Sequence, residues 1–237
     1  MEKMRILVAC EESQAITKEL RALGHEAYSC DLLPCSGGHP EWHFQEDVFE
    51  VIEQGGRGDN GELITDWDMM IAHPPCTFLT VAGARWLYHP DDRGLPVEER
   101  RPHPNYPNRR QDQMDALDFV QKLMDAPIDK IAIENPVSVI SSHIRKPDQI
   151  VQPYHFGDRA RKTTCLWLKG LPLLEHTDVV DQGESFEWID GRTGKKKRQP
   201  LWYYQALCEA KTPQQRRTLR SKTFKGMAKA MANQWTK

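Results

Sequence analysis

Short apolar runs alternate with stretches of helical spacing over most of the chain. Arg5–Ala9 is a compact apolar run that reads as a buried strand. Between Ser13 and Leu23, Ala15, Ile16, Leu20 and Leu23 recur at helical spacing, and Gly24 is placed to end that helix. Glu26–Leu32 predicts a second strand with Asp31 near its end. Asp68–Ala72 predicts a third, stopped by His73-Pro74-Pro75. Gln113–Met124 is amphipathic through Met114, Leu117, Val120, Leu123 and Met124, and Ile131-Ala132-Ile133 returns to strand. This alternation predicts an α/β fold with a mainly parallel central sheet flanked by helices. Ligands of such sheets sit outside the carboxyl ends of the strands, which puts Cys10, Asp31, Cys76 and Glu134 along one rim.

Two segments break the rhythm. Residues 84–110 hold Arg, His, Pro and Tyr without periodicity and read as a long exposed loop, a length usually tied to function or disorder. Further on, Glu187-Trp188-Ile189 and Leu201-Trp202-Tyr203 flank the turn-rich Asp190–Gly194 and the basic run Lys195–Arg198, which predicts a β-hairpin with a basic arm. From Lys222 to Trp235, Phe224, Met227, Met231 and Trp235 mark one packed helix face.

Composition narrows the setting. The 237 residues are 39% hydrophobic and 28% charged, so the chain can bury a core of its own. No run approaches the ~18 apolar residues of a membrane span. Arg5–Cys10 leads straight into Glu11-Glu12, which does not read as a signal peptide. The six cysteines are irregularly spaced, which points to reduced thiols and a cytoplasmic protein rather than a disulfide framework. A net charge of −2 demands no polyanionic partner, but basic clusters at Arg100-Arg101, Arg109-Arg110, Lys195–Arg198 and Arg216–Lys225 are compatible with nucleic acid.

Candidate chemistry gathers at two strand ends. In Ala72-His73-Pro74-Pro75-Cys76-Thr77-Phe78, two prolines hold a thiol on a stiff loop, and a helix start behind it would lower its pKa. A buried structural cysteine beside a turn would account for the same residues. In Ile133-Glu134-Asn135-Pro136, a carboxyl raised in pKa by burial could protonate a ring nitrogen, and a helix cap is the plainer alternative. Cys30, Cys35, His39 and His43 have spacings open to zinc, but Asp31 stands inside the set, so no metal is expected.

In this order the two motifs resemble the DNA cytosine-5 methyltransferase family. Asp68–Thr80 is similar to the family's catalytic strand and Pro-Cys loop. Arg109–Val137 is similar to its next block, closing on Glu-Asn-Pro where the family has Glu-Asn-Val. Arg5–Gly24 stands where the first strand, loop and helix belong, Glu46-Asp47-Val48 resembles the acidic block after the second strand, and Lys225–Asn233 resembles the closing helix. The resemblance implies a Rossmann-like methyltransferase core over residues 1–170, a small hairpin-containing recognition region over 171–220 and a returning helix over 221–237. It implies S-adenosyl-L-methionine as cofactor, held by Cys10, Glu11, Glu12, Ser13, Asp31, Leu32, Asp47, Val48, Pro74 and Asn233. Cys76 would attack C6 of cytosine while Glu134 engages N3 and the exocyclic amine, with Arg161 on the base carbonyl and Arg159 and Lys162 as rivals for that role. DNA is the implied partner, its base flipped out of the stack. Pro75, Thr77, Arg85, Arg109, Arg110, Asn135 and Pro136 would contact it, the arginines through phosphates. The compact plan suits a phage or mobile element.

Departures keep other readings open. The first loop, Ala9–Gln14, has no glycine, Thr77 replaces the usual Gln, and Gly157-Asp158-Arg159-Ala160-Arg161 only hints at the family's arginine block. The alternatives are RNA or a free pyrimidine nucleotide as substrate, an amine methyltransferase acting on N4 of cytosine or N6 of adenine, and a non-catalytic DNA-binding relative.

Overall fold

A computed structural model describes residues 2–221 and 223–237; Lys222, at the head of the expected C-terminal run, lies outside them. In chain order the elements are β1 (Arg5–Ala9), α1 (Ala15–Ala22), β2 (Glu26–Cys30), β3 (His43–Phe44), α2 (Val48–Gln54), β4 (Gly56–Arg57), β5 (Leu63–Ile64), β6 (Met69–Ala72) and α3 (Arg109–Met124). They continue with β7 (Lys130–Pro136), α4 (Ile140–His143), β8 (Gln149–Val151), β9 (Thr164–Lys169), β10 (Ser185–Ile189), β11 (Lys196–Pro200), α5 (Leu201–Glu209), α6 (Pro213–Ser221) and α7 (Lys225–Trp235).

Seven strands form one sheet in the order β3-β2-β1-β6-β7-β9-β8. The pairs from β3 to β7 are all parallel. β9 runs antiparallel to both β7 and β8. This is a Rossmann-like α/β sheet in which one reversed strand stands between the last two parallel ones. The strand order reverses between β1 and β6, so the crevice outside their carboxyl ends is the place where such sheets take ligands.

Each face of the sheet buries alternate side chains of the same strands, as the two-residue period requires. Leu7 and Ala9 of β1 face one layer, with Val48, Val51 and Ile52 of α2 and Leu117, Val120 and Leu123 of α3. Ile6 and Val8 face the other, with Ile16 and Leu20 of α1 and Met227, Ala230, Met231 and Trp235 of α7. The alanines of α7 let it lie close to α1. Its second residue, Gly226, is so tightly seated that a Cβ there would come within 1.8 Å of the Phe156 carbonyl oxygen.

Three expectations change. β3, α2 and β8 are too short or too polar to carry a periodic signal and were not read from the sequence. Leu201-Trp202-Tyr203 begins helix α5 instead of forming the second hairpin strand; the hairpin pairs Ser185–Ile189 with Lys196–Pro200, so the basic run itself is the strand. Residues 81–110 are also no bare loop. They fold on themselves through three short 3-10 turns, a Trp86–His103–Tyr106 ring cluster and a two-pronged Arg101–Asp92 pair. Among the described residues no helix is long and apolar enough to cross a membrane.

Trp235 closes the α1–α7 layer, fully packed, with its indole N–H donated to the Pro172 carbonyl at 3.0 Å. Trp235→Ala is expected to cost about 3–5 kcal/mol of unfolding free energy, read as a lower urea midpoint at unchanged slope; a loss under 1 kcal/mol would mean that α7 is not part of the core.

Candidate active site

The first rim loop replaces glycine by strain that its surroundings absorb. Cys10 and Gln14 both sit at φ +57°, the left-handed region, at a cost of roughly 1–2 kcal/mol each. Gln14 is buried and spends its amide fully. Its Nε2 donates to Ser29 Oγ and the His39 carbonyl, and its Oε1 accepts from His39 N and Cys35 Sγ. Glu11 is buried too, but it caps α1, accepting from Ile16 N at 2.7 Å and from Thr17 N and Oγ1. Glu12 accepts from Ser36. Glu11, Glu12 and Ser13, expected to touch a cofactor, build and anchor this loop and do not line the cleft beside it.

That cleft, about 410 Å³, opens at the carboxyl ends of β1, β2 and β3. Cys10, Asp31, Leu32, Asp47 and Val48, all expected there, line it together, and Pro75 stands where Pro74 was expected. No local pattern announces the opposite wall, built by Phe78 and by Asp112, Asp115, Ala116 and Phe119 of α3. Asp31 and Asp47 are fixed by their own backbone, Asp31 accepting from Leu33 N and Asp47 capping α2 through Phe49 N. Five carboxylates (Asp31, Glu46, Asp47, Asp112 and Asp115) face the space, and among the described residues no lysine or arginine does. The resulting field is visible on the two thiols there. Burial, then Asp31 and other neighbours, pushes Cys10 far up, and burial with Asp31 and Glu46 pushes Cys30 up to about 12. Asn233 lies elsewhere: it is exposed on α7, bonded to the Lys229 carbonyl one turn back, because α7 packs on the other face of the sheet.

Cys76 stands between two residues of the cleft wall, Pro75 and Phe78, on the turn that leaves β6. Side chains from other elements hold this turn by its carbonyls. Asn135 Nδ2 donates to Pro74 O at 2.8 Å, Arg109 to Thr77 O at 3.0 Å and Gln113 to Phe78 O at 3.0 Å. Asn135 is buried, and with its amide on Pro74 it reaches a substrate only through the loop. Arg109 also lies over the Phe78 ring, so it braces the turn with one N–H and its guanidinium plane. Arg85 and Arg110 remain exposed, over the rings of Trp86 and Tyr88.

The expected low pKa of Cys76 does not hold. A tight turn follows it, with Leu79 N and Thr80 N on its carbonyl, not a helix whose dipole would help. Burial raises the thiol first and Glu134 raises it further, against Lys162 and Arg220. Glu134 moves opposite to expectation as well. Burial opposes its ionisation, but the hydrogen bond from His73 and the charge of Lys162 outweigh burial, so its pKa lies below the ordinary value. His73 Nδ1 and Glu134 Oε2 are 3.1 Å apart with side chains only 12% and 15% exposed.

Of the three basic candidates near β9, Lys162 is the one whose charge acts on both Cys76 and Glu134. Arg161 is turned onto Ser185 at the foot of the hairpin, and Arg159 pairs with Asp181 at the surface. Pro136 ends β7 opposite Thr164. His73 and Arg220 were missed by the sequence reading. The first stood in plain view beside the motif, whereas the second lies in a basic helix with nothing to single it out.

No family model and no curated protein matches the chain. Among solved structures it is similar to an E. coli prophage-encoded protein assigned as a DNA modification methyltransferase, with 13% identity and a TM-score of 0.41 over 76% of this chain and 52% of that one. It is also similar to the S. pombe Dnmt2 methyltransferase, with 12% identity and a TM-score of 0.40 over 72% and 50%. The chain thus spans about half the length of either structure.

A thiol raised by burial and by a neighbouring carboxylate should resist alkylation. In the free protein, Cys76 is expected to react with iodoacetamide slowly at pH 7–8 and steeply faster above pH 9, followed by peptide mass spectrometry with exposed Cys208 as internal reference. Fast, pH-independent labelling of Cys76 at pH 7 would contradict the raised pKa.

Proposed function

We propose that this protein transfers a methyl group from S-adenosyl-L-methionine to C5 of cytosine in DNA. The observation that carries the reading is the cleft with five carboxylates and, among the described residues, no cation, set directly beside the turn that bears Cys76. Such a lining repels the phosphates of a dinucleotide or nucleotide and suits a cationic, phosphate-free adenosyl ligand. Asp31, at the end of β2, is positioned for ribose hydroxyls. Asp47 and Val48 fit the adenine edge, and Pro75, Phe78 and Phe119 supply apolar walls for a ring. Bound there, S-adenosyl-L-methionine supplies an electrophilic methyl group on a sulfonium.

The chain's own residues prepare the acceptor. Cytosine C5 is too weakly nucleophilic until C6 is saturated. Cys76 adds through sulfur to C6, its S–H bond breaks, and the proton ends on ring N3. The C5=C6 π pair then becomes part of an enamine with its electron density at C5. Glu134, next to the thiol and held ionised by His73 and Lys162, offers acceptors to N3–H and the exocyclic amine. A raised thiol pKa fits this sequence, since the proton stays on sulfur until N3 is there to receive it. After methyl transfer, the C5 proton leaves to solvent, sulfur departs from C6 as the C5=C6 double bond re-forms, and the N3 proton returns to the thiolate. A base can meet this rim only outside the duplex stack. Lys162 and Arg220 then lie where the phosphate of a flipped nucleotide needs cations.

Nucleoside mass spectrometry on DNA from cells expressing the protein, beside a Cys76→Ala control, tests the reading. 5-Methylcytosine that rises only with the intact thiol is the expected result. N4-methylcytosine or N6-methyladenine insensitive to Cys76 would replace it with an amine methyltransferase, and methylation found only in RNA would move the substrate.

A further inference from the structure

We infer that His73 is a positioning residue, which orients Glu134 through Oε2 and keeps that carboxylate charged when it meets the base. The inference rests on the function proposed above and concerns the residue that precedes the two prolines, which that chemistry does not otherwise use.

Geometry carries it. β6 and β7 are adjacent parallel strands in register from Met69–Lys130 to Ala72–Ile133, so the next residues along, His73 and Glu134, emerge side by side at the rim. The backbone of His73 is itself fixed, its N–H donated to Ala9 O at 2.9 Å across β1. Both side chains are shielded from water, and the Nδ1–Oε2 separation of 3.1 Å is a hydrogen bond. An ionised carboxylate only accepts, so Nδ1 carries the proton. Nε2 is buried with no hydrogen-bond partner among the described residues, and an unpaired acceptor there costs less than an unpaired donor. The ring orientation is therefore set through Glu134, and Oε2 is committed to His73.

The charges around the ring are few. Glu134 faces it from β7, Glu11 from the loop after β1, and Lys162 reaches the same carboxylate from the segment before β9, where Thr164 also bonds. Cys76 is three residues along the same turn. Lys162 and Thr164 share with His73 the task of holding Glu134 ionised, so removing the imidazole leaves a buried carboxylate with one partner fewer. Its titration moves toward neutrality, and a larger share of the protein carries a protonated Glu134 that no longer accepts from both base groups.

The test needs no turnover. With ¹³C-labelled glutamate and a Glu134→Gln variant for assignment, the Glu134 carboxyl is titrated by NMR in wild type, His73→Ala and His73→Gln. The midpoint is expected to rise by on the order of one pH unit in His73→Ala. A smaller rise is expected in His73→Gln, whose amide still donates. The acid limb of the pH–rate profile for Cys76-dependent methylation should move with it by the same interval, with activity on that limb, below both midpoints, falling up to about tenfold in His73→Ala and being partly rescued in His73→Gln, while activity near pH 7.5 changes little. An unmoved Glu134 midpoint in both variants, or a glutamine no better than alanine, would overturn the inference. Wild-type protein that makes no Cys76-dependent 5-methylcytosine would overturn the proposed function instead, a failure the NMR midpoints do not share.

Discussion

The turn from His73 to Phe78 is where the parallel sheet becomes a site, and it is fixed before any ligand arrives. Two prolines limit its backbone, and His73 N–H ties its start to β1. Three carbonyls along it are taken by side chains from β7 and α3, namely Asn135, Arg109 and Gln113. A buried carbonyl without a partner costs about 1–3 kcal/mol, so the turn has few other ways to lie. The cleft and the thiol share this one segment, Pro75 and Phe78 lining the first and Cys76 carrying the second. A ligand in the cleft and a base at the thiol are thus set against a common wall, which is what transfer between them requires.

Electrostatics divides the rim in two. On the cleft side, carboxylates gather with no lysine or arginine among the described lining residues, and burial together with these carboxylates pushes neighbouring thiols up in pKa. Across the turn, His73 and Lys162 gather around Glu134 and keep it charged. Cys76 feels burial and Glu134 on one hand and Lys162 and Arg220 on the other, and the first pair prevails. A thiol held protonated beside an ionised acid is quiet in the free protein and protected from oxidation; in the proposed reaction it becomes reactive when a ring nitrogen takes up its proton.

Much of this was legible in the sequence. Strands dense in β-branched or apolar residues, such as Arg5–Ala9 and Met69–Ala72, announced the sheet, and Gly24, at φ +90°, ended α1 where expected. Asp31 could be placed because it follows a strand end directly, and Asp47 and Val48 because Glu46-Asp47-Val48 resembles the acidic block that follows the second strand in the DNA cytosine-5 methyltransferase family. What the sequence hid was tertiary. His43–Phe44 is too short for periodicity, and the far wall of the cleft comes from the polar-looking first half of α3, whose Asp112 and Asp115 read as solvated charge. Local pattern also could not show which polar residues are consumed by structure. Glu11 caps a helix, Asn135 and Arg109 hold carbonyls, and Arg161 holds Ser185, although each looked equally suited to a ligand. The missing glycines of the first loop were informative in reverse, since Cys10 and Gln14 adopt the left-handed backbone that glycine would have taken.

The central claim is that the sulfur of Cys76 bonds to the cytosine ring. A duplex oligonucleotide carrying 5-fluorocytosine at the methylated position tests it directly, because fluorine cannot leave C5 as a proton does and the adduct persists. Incubation with S-adenosyl-L-methionine and digestion should give one cross-linked peptide, the one containing Cys76, absent in Cys76→Ala and absent without the cofactor. Methylation of the matching unmodified oligonucleotide with no such adduct, or an adduct that survives Cys76→Ala, would contradict the account.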